Sequence, residues 1–168
     1  MSNNKFLVVI FGLLFLAIGY QQYQIHRLQT QPFAAPTEEK VRFTSKDEAC
    51  LAKNVFYEAG IEGADGKYAV AQVTINRLKD GRWGNSICKV VYAKHQFSWT
   101  SLKKRAKLTG DAWLESQWVA RQVLHEGYRV RQLTDVLWYH NQSVKPIWTS
   151  AVAKLDQIGR HTFYTEQI

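Results

Sequence analysis

Glu58 is the first residue whose type and setting point to chemistry. Leu51, Val55 and Glu58 are spaced by four and three, which puts the carboxyl group on the apolar stripe of a helix, near its C-terminal end. Burial disfavours the charged form of a carboxyl, and the negative end of the helix dipole acts in the same direction. Together they produce an acid that stays protonated near neutrality and can donate its proton. The same spacing equally fits a glutamate that turns to solvent or pairs with an arginine. Glu62, four residues on, offers a second carboxylate of the kind that activates water, or a solvated residue just past a helix end. The five histidines, His26, His95, His125, His140 and His161, fall into no H-E-x-x-H motif and no Cys/His ligand cluster. No G-x-S-x-G elbow and no glycine-rich phosphate loop occurs either. The expectation is carboxylate chemistry, with no metal and no cofactor.

The elements that must position these groups begin sharply at Ser45. Ser45-Lys46-Asp47-Glu48 fits a capping box with Ser45 as N-cap, and predicts a helix over 46–59 closed by Gly60. Asp65 opens a second helix running to about Lys79, in which Tyr68, Ala71, Ile75 and Leu78 recur at helical spacing. Gly81 and Gly84 break the chain, and a short helix around 86–93 and a longer one around 111–128 follow. Gln96–Thr100 and Leu137–Asn141 are rich in aromatic and β-forming residues and read as loops or short strands around a cleft.

The chain of 168 residues has room for one domain and a short appendage, and its 6 Trp, 8 Tyr and 8 Phe supply ample apolar material for one core. Removing Lys5 and Arg27, the charged residues of 1–37, from the net charge of +8 leaves +6 on the remainder. A basic domain suits a polyanionic partner, nucleic acid or an envelope polymer, and charge does not choose between them. Residues 6–20, FLVVIFGLLFLAIGY, are uncharged and follow Lys5 directly. Fifteen helical residues span about 22 Å, short of the roughly 30 Å hydrocarbon core, and the uncharged stretch continues to Ile25. No A-x-A-like cleavage site follows the run, so residues 1–25 read as an uncleaved signal anchor or transmembrane helix in the inner membrane. Residues 26–44, with Pro32 and Pro36, read as a polar tether, and 45–168 as the folded domain, carried to the periplasmic side and either held there or released in soluble form. In an oxidising space Cys50 and Cys88 pair by default, closing a loop of about 39 residues worth roughly 4 kcal/mol in the chain-entropy model. A buried free pair, or Cys50 as a nucleophile, are the other readings. Export and the lack of a recognisable binding motif argue against nucleic acid.

Five ordered blocks carry a family likeness. They are Cys50-Leu-Ala-Lys-Asn-Val-Phe-Tyr-Glu-Ala59 with Glu62 and Gly66–Arg77, then Cys88–Tyr92, Gln96-Phe-Ser-Trp99, Trp138-Tyr-His-Asn141 and Ile158–Phe163. Covering about residues 48–164, they resemble the catalytic domain of the spore cortex-lytic enzyme SleB and related bacterial and phage cell wall hydrolases. The resemblance implies an α+β, mostly α, lysozyme-like fold similar to lytic transglycosylases, with a small strand-bearing lobe. It implies Glu58 as the essential acid and peptidoglycan glycan strands as the substrate. Where many relatives have Ala-Arg-Gly-Glu, this chain has Ala59-Gly60-Ile61-Glu62, so an arginine is missing beside Glu62.

On that resemblance Glu58 protonates the glycosidic oxygen between N-acetylmuramic acid and N-acetylglucosamine, and then acts as base on the muramoyl 6-hydroxyl to give a 1,6-anhydro product; Glu62 acting on water would give hydrolysis instead. Gln96, Ser98, Tyr139 and Asn141 are candidates to hydrogen-bond the sugars, and Trp99 and Trp148 to stack on them. Core packing and local turn capping are the plainer roles for each. Lys103, Lys104, Arg105 and Lys107 form a solvated basic face or a contact for an acidic wall polymer. A non-catalytic envelope scaffold and a stem-peptide amidase are the alternative functions, and a small wall-degrading domain on a marginal anchor suggests a phage lysis protein.

Overall fold

The computed structural model describes residues 17–24 and 42–166. The chain divides into two compact units, Met1–Val41 and Arg42–Ile168. In the first, residues 17–24 are helical, and most of the expected anchor (1–25) and tether (26–44) lies outside the described residues. Among the described residues no helix is long and apolar enough to cross a membrane.

The second unit opens with α1 (Ser45–Ala59). Its capping box is real but sits one residue earlier than the sequence predicts: Thr44 Oγ1 accepts from the Asp47 N–H (3.1 Å), and Asp47 Oδ2 accepts from the Thr44 N–H (3.1 Å). Thr44-x-x-Asp47 satisfies the same pattern as Ser45-x-x-Glu48. Glu48 is engaged elsewhere, its two oxygens lying 3.1 Å from Arg121 Nη2 and His125 Nε2. Helix α2 (Ala64–Asp80) is buried on nearly all sides from Gly66 to Arg77. Helix α3 (Ile87–Tyr92) is capped by Ser86, whose Oγ accepts from the Lys89 N–H. Helix α4 (Asp111–Leu124) stops four residues before the expected Tyr128. There Gly127 takes a φ of +72°, the Tyr128 N–H turns back onto the Gln122 carbonyl (3.1 Å), and Arg129 Nη1 donates to the Val123 carbonyl (2.7 Å).

Between and after the helices come 3₁₀ turns and a small sheet. The strands β1 (Trp138–Asn141), β2 (Val152–Ile158) and β3 (His161–Glu166) form an antiparallel sheet in the order β1-β3-β2. Tyr139 is paired with Phe163 and Asn141 with His161, so these four side chains share one face, and Trp138, His140 and Tyr164 share the other. Two apolar clusters meet on α2. One gathers Leu51, Val55, Ile75, Val91, Trp99 and Val123 from the helices. The other packs Ala69 and Val73 of α2 under Leu133, Val136 and Phe163. The domain is thus mostly helical with a three-stranded lobe. Cys50 at the start of α1 is disulfide-bonded to Cys88 of α3, 38 residues away in sequence.

Candidate active site

Glu58 sits one residue before the end of α1, half-buried, where it faces β1 across the boundary between the helices and the sheet. The Tyr139 hydroxyl donates to Glu58 Oε2 at 3.1 Å. Burial raises the Glu58 carboxyl above its ordinary 4.5; the Tyr139 hydrogen bond and the positive charge of Arg77 pull it back in part. Burial, and then the Glu58 charge, push the Tyr139 hydroxyl well above the usual phenol range, so it stays a donor. Of the two alternatives that helix spacing left open for Glu58, the structure has the carboxyl turned inward and without a salt bridge.

The last turn of α2 aims β1 at Glu58. Asn76 Nδ2 donates to the carbonyls of Leu133 (2.7 Å) and Val136 (2.8 Å), and Arg77 Nε donates to the carbonyl of Leu137 (2.9 Å). These three bonds hold the segment that leads into β1, and with it Tyr139 two residues beyond. They also satisfy loop carbonyls next to the core, which would otherwise be costly. Arg77 is only 6% exposed. Its guanidinium lies 5.0 Å from the centre of the Phe97 ring, 5.4 Å from Trp83 and 5.9 Å from Tyr139.

Glu62 occupies a different environment. It is 8% exposed, and its Oε2 accepts from the backbone N–H of Arg160 (3.1 Å) in the turn between β2 and β3. Its own carbonyl accepts from Lys67 Nζ, which also bonds Glu115 Oε2 (2.8 Å). The turn comes so close that a Cβ on Gly159, at a φ of +57°, would collide with the Glu62 carboxylate. The expectation that Glu62 serves as a second catalytic carboxylate meets a geometry that commits it to the hairpin. Tyr139 and Arg77 both act on the Glu58 carboxyl. His161 (2% exposed) stands edge-on to Tyr139, ring centres 5.1 Å apart, with Nδ1 unpaired among the described residues. Burial lowers its pKa against an opposing pull from Glu62.

The expected sugar-binding residues divide. Tyr139 is at Glu58. Trp99 is not available for stacking: it is 3% exposed, its indole N–H donates to Asn54 Oδ1 (2.9 Å), and Asn54 in turn donates to Thr74 Oγ1 (3.1 Å). The half-buried ring that covers Trp99 is Tyr57, stacked at 4.6 Å, next to Glu58 in sequence and bonded through its hydroxyl to the Ala106 carbonyl (2.9 Å). Ser98 is exposed and Gln96 half-buried, in the segment whose Phe97 lies against Arg77. Asn141 caps its own turn by accepting from the Ser143 N–H (3.0 Å). Trp148 packs edge-on against His140 and Tyr164 on the opposite face of the sheet from Tyr139. Asn76, Arg77 and Tyr57 went unremarked in the sequence. The available signal was α2 itself: through Ala-Val-Ala-Gln-Val-Thr-Ile-Asn it carries no charged residue, and so shows no charged face to which a final arginine can turn. Among the described residues, no group of three or more His, Cys, Asp or Glu side chains is placed to hold a metal ion.

The chain is similar to known proteins over this same domain. A family model described as Cell Wall Hydrolase matches residues 61–164. The spore cortex-lytic enzyme of Oceanobacillus iheyensis is 28% identical over 125 residues, covering 72% of this chain and 42% of that protein, so the chain spans less than half of this relative. Among solved structures, the catalytic domain of the Bacillus cereus SleB protein superposes with a TM-score of 0.59 at 18% identity, over 79% of this chain and 99% of that one. The catalytic domain of the germination-specific lytic transglycosylase SleB from Bacillus anthracis does so with a TM-score of 0.59 at 20% identity, over 78% and 100%. Glu58 lies three residues before the matched segment and Glu62 inside it. With the helical core, the three-stranded lobe and the matched segment in agreement, the chain belongs to the cell wall hydrolase family.

Proposed function

We propose that the domain is a glycosidase that cleaves the β-1,4 bond between N-acetylmuramic acid and N-acetylglucosamine in peptidoglycan, with Glu58 as general acid and then base. The carrying observation is the half-buried Glu58 carboxyl, raised in pKa and held by the Tyr139 hydroxyl. Glu58 gives its proton to the bridging oxygen as the bond to the muramoyl C1 breaks, leaving an oxocarbenium-like centre. The carboxylate then takes the proton of the 6-hydroxyl as that oxygen bonds to C1. The product is a 1,6-anhydro end, and Glu58 is returned protonated. This lytic transglycosylase route needs one carboxyl group, which suits a site in which Glu62 is occupied by the hairpin. Gln96 and Ser98 are the remaining polar candidates for sugar contacts.

Mass spectrometry of purified peptidoglycan after digestion tests the reading. Anhydro-muramoyl ends are expected. Reducing ends would replace the intramolecular attack with water, and free stem peptides would overturn glycosidic cleavage in favour of an amidase.

The cellular setting is part of the same proposal: residues 6–25 hold the chain in the inner membrane with the domain in the periplasm, where it acts in host lysis or wall remodelling. The apolar run behind Lys5 and the Cys50–Cys88 bond support it. The run is short and contains Gly12 and Gly19, so the anchor is metastable and its exit frees the enzyme. Fractionating cells before and after collapse of the membrane potential should move an uncleaved chain to the soluble fraction. A chain that stays in the membrane would overturn release, and a shortened N-terminus would overturn the anchor.

A further inference from the structure

A guanidinium buried without a carboxylate in contact is a costly thing for a fold to keep. Arg77 is such a group. Nε is used on the Leu137 carbonyl at 2.9 Å, while Nη1 is fully buried with no hydrogen-bond partner among the described residues. Its charged plane is walled by Phe97, Trp83 and Tyr139, which keep water away and leave its field poorly screened. An apolar side chain would fill this space at less cost if packing were all that was required. What lies across Tyr139 is Glu58, joined to that ring by the 3.1 Å hydroxyl bond.

We infer that Arg77 is a positioning residue for catalysis: its buried charge stabilises the Glu58 carboxylate during the interval between giving the proton to the leaving sugar and recovering one. The inference rests on Glu58 being the acid. An acid in a buried site is weak enough to keep its proton, yet that same site penalises the anion it must become, and a fixed positive charge on the other side of Tyr139 relieves the second problem without forming an ion pair that would abolish the first. The groups facing Glu58 are few. Arg77 comes from α2 and Tyr139 from β1, His161 of β3 lies edge-on to Tyr139, and Glu62 is held at the β2–β3 turn by Arg160. Arg77 is the cation of the set, and the direction of its effect on Glu58 is downward.

The test separates charge from architecture. Arg77→Gln keeps a donor for the Leu137 carbonyl and loses the charge, Arg77→Met loses both, and Arg77→Lys keeps the charge. The Glu58 carboxyl is titrated directly by carbon-detected NMR in each full-length chain, and the pH dependence of kcat/KM on purified peptidoglycan is recorded alongside. In Arg77→Gln and Arg77→Met the Glu58 titration and the alkaline limb of activity should both move up by about one pH unit, with Arg77→Lys close to the parent. Loss of activity in step with loss of folded protein, with the Glu58 titration unmoved in whichever neutral variant folds, would overturn the inference and leave Arg77 a prop for residue 137. Full activity in Glu58→Gln is a distinct failure. It would remove Glu58 as the acid while leaving the measured coupling between the two groups standing.

Discussion

Two glutamates four residues apart end up in opposite circumstances. Glu62 is the more buried, yet its carboxylate is occupied: a backbone N–H of the β2–β3 turn sits on one oxygen, and Gly159 is pressed against it. Glu58 is more open; among the described residues its carboxyl has one hydroxyl donor and no cation in contact. Depth alone does not mark a reactive acid. A carboxylate tied to a backbone turn works as a fastener, whereas one that burial pushes up in pKa holds its proton and has something to give.

The largest expected effect separates the pair by activity. Glu58→Gln should lower peptidoglycan cleavage by about 10²–10⁴-fold with the circular dichroism spectrum unchanged, because the amide keeps the shape and cannot supply the proton. Retention of more than about a tenth of parental activity would remove the contrast. The same variant should gain stability with pH. Below the ordinary 4.5 both chains are neutral at this position; above it the unfolded parent ionises while the folded one still holds its proton, so the parent loses stability relative to Glu58→Gln until the raised folded value is passed. Urea midpoints from pH 4 to 8 measure it, and a constant difference across that range would show that Glu58 is not raised.

Next come the fastener variants, read by stability. Gly159→Ala places a side chain at a left-handed φ and against Glu62, and should cost about 1–3 kcal/mol; Glu62→Ala, which strips the Arg160 N–H of its acceptor, should cost about 1–2 kcal/mol. Thermal melts decide both. Tyr139→Phe should have a smaller effect on turnover, about tenfold, with the alkaline limb of the pH profile displaced upward, since the lost hydroxyl bond favours the Glu58 anion. The smallest effect belongs to Glu62→Gln, which still presents an oxygen to Arg160 and should stay within about 1 kcal/mol of the parent and keep most of its activity. A loss comparable to that of Glu58→Gln would return Glu62 to the chemistry.

The helices were readable because their signals are local. The cap of α1 slipped by one because Thr44-Ser45-Lys46-Asp47-Glu48 contains two overlapping boxes, and only the distant Arg121 and His125 decide which acid is free to cap. The two later strands were invisible as such. β2 is half-exposed along its length and bulged between Lys154 and Asp156, so it shows no period-two alternation; only the family likeness implied a strand-bearing lobe. Glu58 was legible as a carboxyl on an apolar stripe. Its partner Tyr139 is 81 residues away, and nothing in the local pattern distinguishes it from Trp99, which the fold uses as core.

The bond between Cys50 and Cys88 adds a dimension of time. Its contribution exists only after two thiols have given up electrons, so a newly made chain begins without roughly 4 kcal/mol, or about a thousandfold in the ratio of native to unfolded molecules. The full stability of the domain then arrives with an oxidation step and not with the end of translation.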